Sequence, residues 1–227
     1  MRLPVANGAP VAAESRPPEL DFTVEGAEAV RHTLAPTLSM RLRVERREGG
    51  PVHSIALSTQ IRIAATRRSY GGRAQERLTE LFGPTEQWSR SLRSFLWTNV
   101  GVQVPAFRDS TFFELPVTCT YDLEVAGTKY IDALEDGEVP LELLFSGTIF
   151  YAGDDGRLRV APIPWDREAE YRLPVAVWRE VMDLNFPNSA WLRLDRERFA
   201  RLAAYKARGV HSTWNDVVDA LLPEGER

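Results

Sequence analysis

The chain has 227 residues, 44% of them hydrophobic and 26% charged, with a net charge of −4; these are ordinary proportions for one globular domain with an appendage. A single cysteine excludes an internal disulfide and a cysteine-based zinc cage. No apolar run is long enough to span a membrane, and residues 1–18 lack the apolar stretch of a signal peptide, so a mobile tail and a soluble, cytoplasmic protein are expected.

An antiparallel β domain is expected over residues 19–170. Leu20, Phe22 and Val24 alternate as a first strand, and residues 25–35 read as a loop. Leu38, Met40, Leu42 and Val44 alternate with Ser39, Arg41, Arg43 and Glu45, which gives a strand with an arginine-rich outer face. Gly49-Gly50 then precedes the alternating Ile55, Leu57, Ile61 and Ile63, and strand, glycine turn, strand reads as a β-hairpin. The period changes near 73–97, a helical insertion. Leu78, Leu81 and Phe82 fit one helix, and Trp88, Leu92, Phe95 and Leu96 a second with Thr85 as N-cap. Val100, Val102 and Val104 return to strand spacing.

The strongest signal is the run from Phe113 through Leu115, Val117, Cys119, Tyr121 and Leu123 to Val125, apolar or aromatic at every second position. A slip of one residue buries Glu114, Asp122 and Glu124 instead, so the register is well determined. Pro116 cannot donate a ladder hydrogen bond, which points to an edge or a bulge. Val139 to Tyr151 repeats the pattern and is expected to be its neighbour, with a short helix over TKYIDALEDGE between them. Asp154-Asp155-Gly156 turns the chain back through Leu158 and Val160. A helical region packed on the sheet is expected over 171–223. Its helices are one ending at Phe186-Pro187, one from Asp195 to Gly209 with Phe199, Leu202 and Ala203 inward, and one capped by Thr213 and Asp216. A charged tail, 224–227, follows. Strands first and helices last argue for an α+β fold, a mainly antiparallel, sandwich-like sheet with inserted short helices and about three C-terminal helices.

Charge is unevenly spread. Residues 41–108 hold 12 arginines against 5 acids, and residues 109–170 hold 14 acids against 4 basic residues. In one domain such segments lie side by side and offset each other, or they form poles that steer a charged partner.

No phosphate loop, nucleophile elbow or metal-ligand spacing is present, so no catalytic residue, metal or cofactor is expected. Cys119 lies on the apolar face of its strand and reads as core. Asp132, Glu135 and Asp136 cluster as a solvated turn, or as carboxylates for acid–base work. Trp178 and Trp214 sit on apolar helix faces and read as core. Trp165 and Trp191 fall in loops and are candidate exposed contacts. Arg41, Arg43 and Arg62 form a candidate binding face, but an acidic chain with no nucleic-acid module excludes that partner class.

The runs APTLSMRLRVE (35–45), LFGPTEQW (81–88), LPVTCTYDLEVAGTKYIDALEDGEVPLELLFSGTIFY (115–151), IPWDREAEYRLPVAVWREVMDLNFP (163–187) and AWLRLDRERFARLAAYKAR (190–208) resemble an uncharacterised actinobacterial family. Its members are often encoded beside genes of high-affinity, hydrogen-scavenging NiFe-hydrogenases. The resemblance implies a non-enzymatic accessory protein that binds a hydrogenase subunit or maturation factor. The alternatives are a holdase, from a loose likeness to the SecB export chaperone, and a small-molecule enzyme using the acidic loop or Cys119.

Overall fold

The computed structural model describes residues 16–120, 122–123, 125–189 and 193–222. The chain divides into two compact units, Met1–Ser189 and Ala190–Arg227.

The first unit is a sandwich of two antiparallel sheets with helical insertions. Strands β1 (Glu19–Ala29), β2 (Thr37–Glu48) and β5 (Ser110–Thr118) make a three-stranded sheet in the order β1-β2-β5. Strands β3 (Val52–Ile63), β4 (Phe95–Val104), β6 (Glu138–Ala152), β7 (Leu158–Pro162) and β8 (Glu168–Pro174) make the second, ordered β4-β3-β6-β7 with β8 also on β6. Helices α1 (Gly72–Phe82) and α2 (Trp88–Ser91) separate β3 from β4, α3 (Ala126–Asp132) separates β5 from β6, and α4 (Val175–Asn185) follows β8.

Period-two patterning builds the core. Leu38, Met40, Leu42 and Val44 of β2 are fully buried, as are Ile55, Ile61 and Ile63 of β3. The rings of Phe22 on β1 and Phe145 on β6 stack across the sheets with centroids 4.3 Å apart. Burying each such side chain is worth about 1.5–3 kcal/mol before entropy is subtracted. Pro116 lies on the edge strand β5, as its missing N–H requires.

Several local expectations are corrected. The β2–β3 hairpin does not form, because β2 is filled on its two sides by β1 and β5 and β3 by β4 and β6. Gly49, with φ +87°, and Gly50 instead carry the chain from one sheet to the other. A Cβ on Gly50 would meet the Ala152 carbonyl oxygen at 2.1 Å. For the same reason β5 and β6 are not neighbours, and α3 bridges between the sheets. β5 ends at Thr118, short of Val125, while Cys119 stays buried and its N–H donates to the Pro36 carbonyl at 2.8 Å; Tyr121 lies outside the described residues. The second inserted helix is one turn, and Phe95 and Leu96 open β4 instead. β1 runs on to Ala29 through part of the expected loop. β8 occupies residues where a helical region was expected to begin. Its alternation of Ala169, Tyr171 and Leu173 with Glu168, Glu170 and Arg172 is the signal for it.

The second unit contains α5 (Arg196–Arg208) and α6 (Trp214–Leu221). The Asp195 carboxylate accepts from the Arg198 N–H, and Thr213 and Asp216 form the expected capping box. Of the residues expected inward, Leu202 and Ala203 are half-buried. No α5 residue is buried, and Phe199 and Trp214 are half exposed with rings 5.6 Å apart.

The buried Cys119 has a pH signature. Removal from water pushes its thiol up to about 12, and lifts the Tyr70 and Tyr130 hydroxyls, which lie 2.7 Å apart, above the usual tyrosine range. An unfolded chain releases these protons earlier. Stability is therefore complete below about pH 9 and falls as pH rises toward 12, by up to about 1.4 kcal/mol per pH unit for the buried Cys119 thiol and by less for Tyr70, which water partly screens. Urea unfolding at pH 8–11 is expected to show this fall, shallower in Cys119→Ala between pH 9 and 10. A flat profile contradicts the burial.

Candidate functional site

The outward set of the three-stranded sheet forms the candidate site. With Leu42 and Val44 inward, Arg41 and Arg43 must face out; with Phe113 and Leu115 inward, so must Phe112 and Glu114. The register then sets Arg43 opposite Phe112, Arg41 opposite Glu114, and Ser39 opposite Pro116. On the other side Gly26 faces Arg41 and Glu28 faces Ser39, after a register shift between Val24 and Gly26.

The resulting groove, about 570 Å³, is lined by Glu25–Glu28, Ser39, Arg41, Phe112 and Glu114. The Arg41 guanidinium lies 4.7 Å from the Phe112 ring centroid, and that of Arg43 5.9 Å. Phe112 is 47% exposed. Arg43 pairs with Glu45, while its buried Nε has no hydrogen-bond partner. The Ser39 hydroxyl donates to the Glu114 carboxylate at 2.6 Å. Among the described residues Arg41 makes no ion pair within 4.0 Å, so the aromatic ring, not a carboxylate, holds its guanidinium. A cation over a ring at an exposed site is worth about 0.5–1 kcal/mol. The site thus presents an oriented guanidinium on an apolar plate, flanked by carboxylates.

The other candidate residues lie elsewhere. Arg62 is on β3 in the second sheet, across from Glu142 and Leu96, and donates to the Ser94 carbonyl at 3.5 Å. It does not join Arg41 and Arg43, because β2 and β3 belong to different sheets. Trp165 stands between β7 and β8 and is 93% exposed. Trp191 lies outside the described residues.

Asp132 and Glu135 accept from Arg77 and Arg73 of α1, each at 2.7 Å. The Asp136 and Glu138 carbonyls accept from Arg68 at 2.8 and 2.6 Å. The acidic turn is therefore engaged by the basic segment before it in the chain, and the two charge blocks lie side by side here. Phe112 is the residue the sequence reading passed over, although the inward position of Phe113 required it to point out. No group of three or more His, Cys, Asp or Glu among the described residues is placed to hold a metal. No helix among them is long and apolar enough to cross a membrane.

A family model described as "Family of unknown function (DUF6084)" matches residues 17–227. No curated protein matches. Among solved structures the chain is similar to the CARDB domain of the PF1109 protein from Pyrococcus furiosus, solved in complex with di-metal ions. That likeness has 10% identity and a TM-score of 0.27, over 69% of this chain and 92% of the other. A putative ApaA protein from Bordetella pertussis is similar at 16% identity and a TM-score of 0.25, over 70% and 95%. A putative late embryogenesis abundant protein is similar at 15% identity and a TM-score of 0.31, over 69% and 72%.

Proposed function

We propose a function for a chain that belongs to a family of unknown function, DUF6084: it is a non-enzymatic accessory protein that binds another protein through the outer face of its three-stranded sheet. The observation that carries this reading is the pair of Arg41 and half-exposed Phe112. Arginine and aromatic residues dominate binding hot spots, where a planar guanidinium forks onto a carboxylate and the ring excludes water around it. Arg41 is already oriented, so less side-chain entropy is lost on docking. The partner in this reading is a subunit or a maturation factor of a high-affinity NiFe-hydrogenase, the context that the sequence resemblance implies.

The test is affinity purification of the tagged protein from its native host, with mass spectrometry of what co-purifies. Hydrogenase or maturation proteins in stoichiometric amounts are the expected result. Truncating a hot-spot residue costs about 2 kcal/mol or more, roughly 30-fold in affinity. Arg41→Ala and Phe112→Ala are therefore each expected to lose most of the co-purifying partner while losing no more than about 1 kcal/mol of stability, the worth of their contact, because neither side chain is in the core. A partner retained by both variants removes this face from the reading.

A further inference from the structure

An edge strand offers a row of unpaired N–H and C=O groups that another chain can extend. Here the edges are β1, β5, β4 and the end-to-end pair β7 and β8. Every one except β4 carries a device against extension. β1 carries Glu19, Asp21, Glu25 and Glu28, and Arg167 of the β7–β8 connection pairs with Glu19 and Asp21 at 3.0 and 3.1 Å, so its edge is charged and covered at one end. β5 is interrupted by Pro116. β7 is five residues long, with Arg159 and a terminal Pro162. β8 carries Glu168, Glu170 and Arg172 and ends on Pro174.

β4, by contrast, is ten residues, FLWTNVGVQV, without one charge or proline. Among the described residues its ladder pairs with β3 and with no other strand. Its core-facing side chains Val100 and Val102 stay half-buried, although Thr59 and Leu57 opposite them on β3 are buried. The apolar row on this edge is only partly covered.

We propose that β4 is an interface between two copies of this chain, each β4 pairing antiparallel with its counterpart about a two-fold axis. A second copy is the occupant because an uncharged strand meets no like-charge penalty against itself. Antiparallel self-pairing is also isologous, so one two-fold closes it. Registers that set even-numbered residues opposite even-numbered ones bring Val100, Val102 and Val104 against the same set, and continue the inner face of one sheet into the other. The outer face then pairs Asn99, Gly101 and Gln103 with their counterparts, all exposed and uncharged. The two five-stranded sheets become one continuous sheet.

Sedimentation velocity on the full chain over a micromolar concentration series tests this. The wild type is expected to dimerise. Asn99→Lys with Gly101→Lys places like charges across the two-fold and is expected to weaken the dimer at least tenfold, by the same like-charge logic that guards natural edges. Gly101 accepts a side chain, since a Cβ there meets only the Leu57 carbonyl oxygen, at 3.8 Å. The pair Asn99→Lys and Gln103→Lys makes the same test without touching the glycine. Glutamates at the same positions are expected to give a second monomeric variant, and mixing the lysine and glutamate variants to restore a dimer. Circular dichroism confirms that each variant is folded. A monomeric wild type, a dimer that persists in both variants, or a mixture that stays monomeric overturns the proposal.

Discussion

Replacing Gly147 by alanine is expected to be among the most damaging single changes in the chain, costing about 2–5 kcal/mol of unfolding free energy when backbone strain and overpacking are added. Gly147 sits where β6 changes partner, from β8 over Glu138–Leu144 to β7 over Thr148–Ala152. Its carbonyl accepts from the Ile163 N–H at 3.0 Å, which secures the chain beyond β7. Its φ is +136°, a conformation that a residue with a Cβ rarely adopts. A Cβ there would also meet the Ala56 carbonyl oxygen of β3 at 2.0 Å. Backbone, not a flexible side chain, is in the way, so the β3–β6 ladder must yield. Urea unfolding with a tryptophan signal measures the loss. A midpoint within error of wild type would contradict the close approach of the two strands.

Removal of the Trp178 ring is expected to cost about 3–5 kcal/mol, the usual range for deleting a buried tryptophan. Trp178 is 3% exposed and lies edge-on to Trp97 of β4 with centroids 6.0 Å apart. Trp97 in turn fills the space over Gly127 of α3, where a Cβ would meet its Cδ1 at 2.6 Å. The two indoles therefore join α4, β4 and α3. β4 is held by its ladder to β3 and cannot collapse into the vacated volume, which is why the cavity persists. Trp178→Phe retains a ring and is expected to lose less than half as much. Equilibrium unfolding of both variants checks the order. Equal and small losses would mean that α4 does not anchor on this ring.

Much of the candidate site was legible as parity. The alternation through Leu38, Met40, Leu42 and Val44 alone sends Arg41 and Arg43 outward, and the same rule applied to Phe113 sends Phe112 after them. Their meeting was not legible. It needs β5 to lie beside β2, and the period of a strand says which face a residue occupies, never which strand is its neighbour. The arginine face was for the same reason drawn one residue too wide, with Arg62 included from a strand that belongs to the other sheet. The engagement of Asp132 and Glu135 by Arg77 and Arg73 was open in the sequence as one of two arrangements. Only the placement of α1 against the end of α3 and the turn after it decided it.

By itself the sequence determined the antiparallel α+β class, the inward and outward sets of most strands, the edge position of Pro116 and the caps of the last two helices. These depend on local periodicity, on a missing N–H and on side chains that reach their own helix ends. Tertiary structure decided how strands are shared between two sheets, because each strand has only two sides on which to pair. It also decided where β5 stops, since Cys119 remains apolar and buried after the ladder has ended. Within the last unit it set the Phe199 and Trp214 rings 5.6 Å apart, a contact between α5 and α6 that the spacing of neither helix states. An amphipathic pattern states what a helix can bury; whether a surface covers it depends on the packing of the whole chain.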